Sequence, residues 1–461
     1  MQQFYEAKRQ YPDCIIFFRM GDFYETFCED AEICAREMEI TLTSRGRMPD
    51  GQEIPLAGIP YHALDGYLSR MISRGYKVAI CEQIEDPKKA KGIVKRDVVR
   101  VVTPGTVIDA ALLSGENARY LMAAVMNRKK KRLGLAFLDI STGDFQVTEI
   151  PYDEHGESLR SDIARFRPAE CIIPVGHDIL ADAVSRFVPL ISPLDPSLFD
   201  PVMASALLCR QFGLADLSQY SCSGMPDAIA AAGAALAYAQ KTQFDPLTHI
   251  RSFSSNLQSE YLILDAVTLR NLELVSNIRD RNEDGTLVGT IDLTQSPMGR
   301  RLIRRWITAP LRSVHAIEER LDAVEFFRAN SAERQDIRSL LHRFADIERI
   351  AGRISYGNAS PRDLVTLCTA ASAAHSVRSV LSMESGLPEA LSNALEEIGD
   401  LSSMVSLIQR AIVDDPPVLI RKGGVIRDGY HEELDRIRVI SRDGRQWIAD
   451  LEQQEKERTG I

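Results

Sequence analysis

The stretch FFRMGDFYETF, residues 17–27, joins an apolar run to a second aromatic-rich run through a Met-Gly-Asp turn. The first run predicts a buried strand that ends near Arg19–Met20. Gly21 then permits a tight turn because glycine tolerates positive φ. Two aromatic residues and a glutamate follow the turn. The residues most able to contact a ligand therefore lie on the C-terminal side of the turn.

Two interpretations of this second run remain open. Asp22 and Glu25 have capping-box spacing, which predicts a helical turn with Phe23 and Phe27 on one buried face. The alternative makes Phe23 an apolar wedge for a base step, with Glu25 beside it as a hydrogen-bonding group. The first interpretation gives the motif a structural role and the second gives it a nucleic-acid-binding role.

The surrounding sequence predicts a small α/β domain over residues 1–104. CIIFF (14–18) and YKVAICEQI (76–84) are rich in strand-forming residues, and HALDGYLSRMISRG (62–75) between them has helical spacing and ends at glycine. A Pro-Gly pair then leads to a segment without periodicity, which predicts a linker over residues 105–115.

A second α/β domain is predicted over residues 116–240. LMAAVMNR, GLAFLDIST and DFQVTEI are three β-rich runs separated by turn residues, which predicts a meander, and SLRSDIARFRPAECIIP (158–174) reads as helix, break and strand. From residue 248 to 430 long periodic segments joined by short loops predict an all-helical region. The charged segment 431–461 predicts an extended helix with little core of its own.

The length of 461 residues predicts about three domains. The formal net charge of −10 argues against a nucleic-acid partner when taken over the whole chain. Residues 67–104, however, contain nine basic and four acidic side chains. This basic segment is either a solvated loop or a surface that follows phosphates, and Arg45 and Arg47 add charge to the same domain.

Several classes of protein are disfavoured by the sequence. The longest uncharged apolar run, residues 228–239, has 12 residues, whereas a membrane span needs about 20. The polar N-terminus lacks the apolar core of a secretory signal, which predicts a cytoplasmic protein. The eight cysteines form no CxxC pair, which favours buried free thiols over disulfides or zinc. No P-loop motif or metal-binding histidine pattern is present.

Asp139 in LDIST (138–142) is the remaining candidate for chemistry. This segment resembles the first strand of ribonuclease-H-like folds, in which an aspartate can bind a catalytic metal. A nuclease would need more carboxylates converging on Asp139, and none is identifiable by spacing. The simpler interpretation is that Asp139 ends a strand by hydrogen-bonding the turn.

Taken in order, the sequence blocks resemble the MutS family of DNA mismatch-recognition proteins along the whole chain. The blocks that carry the resemblance are FFRMGDFYETF (17–27), LTSRG (42–46), IPLAGIPYHALDGYL (54–68), VAICEQIEDP (78–87), VVRVVTPGT (98–106), LDAVTLRNLEL (264–274), SPMGRRLIRRWITAPL (296–311), DIERIAGRI (346–354), RDLVTL (362–367) and GGVIRDGYHEELD (423–435).

The resemblance implies a multidomain α/β plus all-α protein. Residues 1–104 would be a small mixed α/β mismatch-binding domain and 116–240 a ribonuclease-H-like connector. Residues 248–430 would be a long-helix core and lever domain, and 431–461 the start of a clamp helix. The family's Phe-x-Glu motif falls on Phe23 and Glu25. Arg45, Arg96 and Arg100 are the candidates for contacts with the DNA backbone.

The resemblance also implies partners and cofactors. It implies binding to double-stranded DNA with mismatches or small loops, a homodimer in the full-length family, and a downstream repair protein of the MutL type. The family's ATPase domain is expected beyond Ile461, so ATP and Mg²⁺ are expected only there and no cofactor or enzymatic activity is expected for this chain. The alternative function is a truncated interaction or scaffold subunit with weak DNA binding.

Overall fold

A computed structural model describes residues 1–47, 51–85, 92–109, 112, 118–153, 156–255, 260–417 and 420–459. The chain divides into two compact units. The first unit contains Met1–Leu321 and Asp346–Asn358, and the second contains Asp322–Ala345 and Ala359–Ile461. Both predicted α/β regions fall in the first unit.

A six-stranded sheet forms the N-terminal part of the first unit. Its strands are β1 (Ile15–Met20), β2 (Phe23–Phe27), β3 (Thr43–Arg47), β4 (Glu53–Pro60), β5 (Val78–Gln83) and β6 (Arg96–Val102). They lie in the order β3-β4-β2-β1-β5-β6, in which only the β1–β5 pairing is parallel. The strands predicted at residues 14–18 and 76–84 are confirmed as β1 and β5.

Helices cover both faces of this sheet. They are α1 (Gln2–Gln10), α2 (Glu29–Met38) and α3 (Leu64–Ser73). Phe4 of α1 packs on one face, with its ring centroid 5.0 Å from that of Phe27. Side chains of α2 and α3, including Met38 and Leu68, pack on the opposite face. We call these the α1 face and the α2/α3 face of the sheet.

The predicted linker is packed against the protein over its described residues. Thr106, Val107 and Ile108 are buried, although they have no regular secondary structure. Glu170, itself fully buried, accepts hydrogen bonds from the Thr103 hydroxyl and from the Gly105 amide, the latter at 3.1 Å. Residues 110–111 and 113–117 lie outside the described ranges. Satisfying a buried carboxylate is what fixes this irregular segment in place.

A second six-stranded sheet follows. Its strands are β7 (Leu121–Asn127), β8 (Arg132–Asp139), β9 (Asp144–Pro151), β10 (Glu170–Pro174), β11 (Ile191–Leu194) and β12 (Ser254–Ser255). The order is β11-β10-β7-β8-β9-β12. Strands β7, β8 and β9 form the predicted antiparallel meander, and β10 and β11 add in parallel at the β7 edge.

The helices of this part are α4 (Glu157–Phe166), α5 (Asp178–Ser185), α6 (Pro201–Phe212) and α7 (Pro226–Gln243). Helix α7 contains the alanine-rich run noted in the sequence, and most of its residues are buried. Gly134 of β8 allows α7 to approach closely, because a Cβ there would lie 1.9 Å from the Asp227 carbonyl oxygen. The alanine-rich run is therefore the central core helix of this region.

Helices dominate the remainder, as predicted. They are α8 (Ala266–Asn271), α9 (Leu287–Ile291), α10 (Pro297–Thr308), α11 (Val314–Ala329), α12 (Ser331–Leu341), α13 (Ile347–Ser355), α14 (Pro361–Ser382), α15 (Glu389–Glu397), α16 (Ser402–Ala411) and α17 (Glu432–Thr459). Within the second unit, Leu381 packs with Ile337 and Leu395 in one apolar cluster, and Cys368 packs with Ile408 and Ile412 in another.

One helix bears on the expectation that no segment spans a membrane. Among the described residues, α14 is long and apolar enough to do so by length and composition alone. Core helices of soluble proteins meet the same criterion, and α14 contributes Cys368 and Leu381 to apolar clusters. The eight cysteines are free thiols, and six of them are buried as expected, whereas Cys28 and Cys209 are half-buried.

Candidate nucleic-acid interface

The Phe-x-Glu residues lie on a strand that follows a two-residue turn. Met20 of β1 pairs directly with Phe23 of β2, and Gly21 adopts φ +60° in the turn between them. The predicted helical turn with Asp22 as its cap is therefore not formed, and that interpretation is wrong. The alternation of Phe23 and Glu25 with the buried Tyr24 and Thr26 is the strand signal that the capping-box interpretation missed.

Phe23 and Glu25 share one face of β2. In the antiparallel pairing with β4, Glu25 lies opposite Gly58. A Cβ on Gly58 would be 3.7 Å from Glu25 Cγ and 3.8 Å from Phe23 Cδ1, so both side chains lie beside this bare backbone. Phe23 is 47% exposed, which is unusual for a phenylalanine on a central strand. The ring is available to a flat apolar partner.

The turn is held by residues that sequence reasoning did not single out. The Tyr61 amide donates to the Asp22 carbonyl at 2.9 Å, and Arg19 Nε donates to the Gly21 carbonyl at 2.6 Å. The Arg19 guanidinium also stacks over the Tyr61 ring, 4.1 Å from its centroid. These contacts join the turn to the end of β4, which no local spacing rule could reveal. They position Phe23 without using its ring.

Glu25 has an unusual electrostatic environment. Its side chain is only 15% exposed, and Oε2 is buried without a hydrogen-bond partner among the described residues. Burial raises the pKa of Glu25, while the charges of Arg45 and Arg96 act in the opposite direction. This oxygen is buried in the free protein and has unused hydrogen-bonding capacity, so a ligand at Phe23 can reach it only after the Glu25 side chain turns outward.

Two of the three candidate arginines lie near Glu25. Arg45 Nη1 is 3.5 Å from Glu25 Oε1, and its side chain is 64% exposed. Arg96 donates from Nε to the Arg19 carbonyl at 2.6 Å and stacks over Phe18 at 5.4 Å. Phe18 pairs directly with Glu25. We call Phe23, Glu25, Arg45 and Arg96 together the Phe23 site.

Arg100 lies on the α2/α3 face of the sheet, whereas Glu25 and Arg96 lie on the α1 face. The β5–β6 register shifts between Ile80 and Cys81, so that Ile80 pairs with Arg100 but Cys81 pairs with Val98. This bulge reverses the alternation of side chains along β6 and places Arg96 and Arg100 on opposite faces. Arg100 instead forms an ion pair with Asp109 at 2.7 Å. The structure does not bring it together with the Phe23 site.

The basic segment of residues 67–104 is not a single basic surface over its described residues. Arg74 pairs with Glu37, and Lys77 pairs with Asp13 at 2.7 Å. Arg70 donates to the Met38 carbonyl at 3.1 Å. Lys88, Lys89 and Lys91 lie outside the described residues. The count of basic side chains in the sequence therefore combined charges whose partners lie at different places in the fold.

Asp139 ends β8 and is fully buried. Its Oδ1 accepts from the Ser141 amide at 2.9 Å and from the Ser141 hydroxyl at 2.7 Å. Its Oδ2 accepts from the Arg119 amide at 3.0 Å. Both carboxylate oxygens thus bind the turn and the neighbouring chain, which confirms the interpretation of Asp139 as a strand-ending residue.

The fold and the site define a modular protein with two α/β sheets, a long-helix region and an exposed ring beside a buried carboxyl group. Family models match the chain in the same order: MutS domain I matches residues 1–111, MutS domain II matches 119–251 and MutS domain III matches 267–458. The chain belongs to the MutS family.

Individual relatives agree with this assignment. The chain is 46% identical over its whole length to the DNA mismatch repair protein MutS of Methanosarcina acetivorans, of which it covers 53%. It is 44% identical to the protein of that name from Methanococcoides burtonii and 42% identical to that from Symbiobacterium thermophilum, covering 52% of each. The chain spans about half the length of the curated relatives it matches.

Proposed function

We propose that this chain recognises mismatched or unpaired bases in double-stranded DNA through the Phe23 site. The observation that carries the proposal is the 47% exposed ring of Phe23 on the same face as the partnerless Oε2 of Glu25. A planar apolar ring can stack on a base, and a carboxyl group beside it can hydrogen-bond that base. The family membership of the chain supports the same function.

Discrimination would come from the cost of deforming DNA. An intact base step must be unstacked before a side chain can enter, which costs a few kcal/mol. A mismatched or unpaired base has already lost part of its pairing and stacking, so the same insertion costs less there. Phe23 would act as the wedge in the minor groove. Because this selection depends on deformability, no reading of base sequence is required.

Glu25 would supply the hydrogen bond to the displaced base. Burial already raises its pKa in the free protein, although Arg45 and Arg96 oppose the shift. DNA phosphates would raise the pKa further by like-charge repulsion, and a protonated carboxyl group can donate to a base acceptor. Arg45 is well placed to turn from Glu25 to a phosphate, since its side chain is 64% exposed.

A titration of the 461-residue chain tests this function. Fluorescence anisotropy would be measured with two labelled duplexes that differ only in a central G·T mismatch, at several salt concentrations because phosphate contacts are salt-dependent. We expect tighter binding to the mismatched duplex. Equal affinity for the two duplexes would contradict the proposal and favour a scaffold subunit that binds DNA weakly.

Replacing Glu25 with glutamine should raise the affinity for matched duplex and reduce discrimination. The substitution removes the repulsion between carboxylate and phosphate and keeps a hydrogen-bond donor. In the wild type, mismatch binding should take up a proton, because the pKa of Glu25 is raised and DNA raises it further. Affinity should therefore increase as pH falls from about 8 to about 5.5, and Glu25→Gln should abolish this dependence.

The matched control is Glu32→Gln, which removes the same charge from an exposed position on α2. It should retain the pH dependence and the discrimination of the wild type. Weaker binding of Glu25→Gln to both duplexes would contradict the repulsion argument.

Arg45→Ala should weaken binding to matched and mismatched duplexes about equally. Loss of one phosphate contact should also reduce the slope of log affinity against log salt by about 1. Arg100→Ala provides the comparison, because it removes the same charge from the opposite face of the sheet. An unchanged slope for Arg45→Ala, or an equal change for Arg100→Ala, would show that the Phe23 site does not define the DNA-binding face.

The remaining parts of the chain are assigned by the same proposal. Residues 1–104 would read the mismatch. The strand order of the second sheet supports a ribonuclease-H-like connector over 116–240, without nuclease activity. Residues 248–430 would be the core and levers, and 431–461 the start of the clamp. ATP and Mg²⁺ would bind in the half of the relatives that this chain does not match, and we propose a homodimer and a MutL-type partner for the full-length protein.

A further inference from the structure

A cavity of about 590 Å³ lies in the first unit, away from the Phe23 site. Its walls are the turn between β8 and β9, the end of α4 and one side of α10. Its volume is within the range of about 300–1,000 Å³ that is usual for small-molecule sites. Five arginines line it, namely Arg165, Arg167, Arg301, Arg304 and Arg305. We call this cavity the arginine pocket.

Three of these arginines are compensated by carboxylates. Arg301 binds Asp346 through two hydrogen bonds of 2.7 Å. Arg305 pairs with Asp144 at 2.5 Å, and Arg304 donates to Glu283. These ion pairs fix the guanidinium groups along α10 and hold the pocket in shape. Arg301 also pairs with Glu348, a further wall residue, at 2.5 Å.

Arg167 is different. It donates to the Ser276 hydroxyl at 3.1 Å, and no carboxylate within the described ranges forms an ion pair with it. Its backbone has φ +47°, a left-handed conformation that a glycine would adopt at lower cost. Partial burial and then the charge of Arg304 lower the pKa of Arg167. Arg167 nevertheless remains an exposed residue at the C-terminal end of α4, with the cation Arg304 nearby.

Arg304 adds a further unused donor. Its Nε is buried and lacks a hydrogen-bond partner in the described part of the chain. A buried donor without a partner is costly, so a hydrogen-bond acceptor at that place would stabilise the pocket. Met298 and Gly299, in the first turn of α10, also line the pocket, and the Gly299 amide there already donates to the Ser296 hydroxyl at 3.2 Å.

We propose that the arginine pocket binds a phosphate-type oxyanion, with Arg167 and Arg304 as its principal donors. Guanidinium groups suit this ligand because their parallel N–H groups match the spacing of phosphate oxygens. The anion would balance the charge of Arg167 and satisfy Arg304 Nε. This inference does not depend on mismatch recognition, since the pocket shares no residue with the Phe23 site.

The test uses inorganic pyrophosphate as the probe and Arg167→Gly as the variant. Glycine removes the guanidinium and accepts the left-handed backbone, so the fold should be preserved. The matched control is Lys131→Gly, which removes a positive charge from an exposed residue with φ +50° at the turn before β8. Calorimetry would give the affinity, and circular dichroism would verify that both variants are folded.

Wild type and Lys131→Gly should bind one pyrophosphate with similar affinity, and Arg167→Gly should bind at least about tenfold more weakly. Pyrophosphate should also protect Arg167 of the wild type from phenylglyoxal, as followed by mass spectrometry. Absence of saturable binding to the wild type, or equal affinities of the two variants, would overturn the proposal.

Two further arms identify the source of the phosphate. A matched duplex that displaces pyrophosphate would assign the pocket to DNA backbone phosphate, whereas a duplex that leaves pyrophosphate bound would assign it to a free small anion. In either case the G·T discrimination of Arg167→Gly measures mismatch recognition separately. Its retention together with lost pyrophosphate binding supports the pocket, and loss of both would contradict the independence of the two sites.

Discussion

Phe23→Ala should abolish the preference for a G·T duplex over matched duplex and leave weak, salt-sensitive binding. The ring is 47% exposed on the free protein, so its removal costs the folded state little packing. Stacking of an aromatic side chain on a base is worth about 1–3 kcal/mol. Affinity for the mismatched duplex should therefore fall by about 5- to 150-fold, to the level of the matched duplex.

The residual binding has a separate physical origin. Arg45 and Arg96 remain beside Glu25 and keep their charges, so phosphate attraction survives the loss of the ring. Titration of both duplexes at two salt concentrations would separate the stacking contribution from this electrostatic one. The salt slope should be unchanged from the wild type.

Phe187→Ala is the matched control for this variant. Phe187 is 44% exposed and follows α5, so the same ring is removed at nearly the same exposure outside the first sheet. It should discriminate as the wild type does. If Phe23→Ala kept full discrimination between the two duplexes, the assignment of Phe23 as the wedge would be wrong.

Gly134→Ala should strongly destabilise the second sheet. The added Cβ would lie 1.9 Å from the Asp227 carbonyl oxygen and 2.1 Å from its carbon, both of which are backbone atoms. Helix α7 must then move away from β8. This movement opens the core in which most residues of α7 are buried. Overpacking usually costs about 1–3 kcal/mol, and we expect about 3 kcal/mol because no side chain can yield.

Thermal unfolding followed by circular dichroism would measure the effect. A loss of about 3 kcal/mol should lower the unfolding midpoint by roughly 6–12 °C for a domain of about 150–250 residues. Gly224→Ala is the control in the same region, because its added Cβ meets nothing within 4 Å and its φ is not positive. Its midpoint should stay within about 2 °C of the wild type. Similar midpoints for the two variants would refute the close approach of α7.

Much of the organisation could be read from the sequence. Strands β1 and β5, the meander of β7 to β9 and the helical C-terminal region follow from hydrophobic periodicity and turn residues, which act within a few neighbours along the chain. The Phe-x-Glu motif also pointed to Phe23 and Glu25, which lie on one face of β2. The capping-box spacing of Asp22 and Glu25 was misleading, because pairing of β2 with both β1 and β4 outweighs a local helical preference.

The partners and surfaces of the charged residues were less predictable from the sequence. Net charge and the basic count of residues 67–104 describe composition, whereas binding depends on which cations share a surface and which have carboxylate partners. Arg74 and Lys77 are compensated by Glu37 and Asp13, which lie 37 and 64 residues away along the chain. Such partners are brought together by packing of the sheet and helices, and no spacing rule contains them.

The sequence by itself determined the order of two α/β regions and a helical region, the family, and the two residues of the Phe-x-Glu motif. Only the tertiary structure decided which arginines join them. Arg96 and Arg100 are four residues apart on β6 and would share a face of a regular strand. The bulge opposite Ile80 and Cys81 turns them to opposite faces. That bulge is set by pairing between distant strands, so the composition of the Phe23 site is a property of the folded sheet.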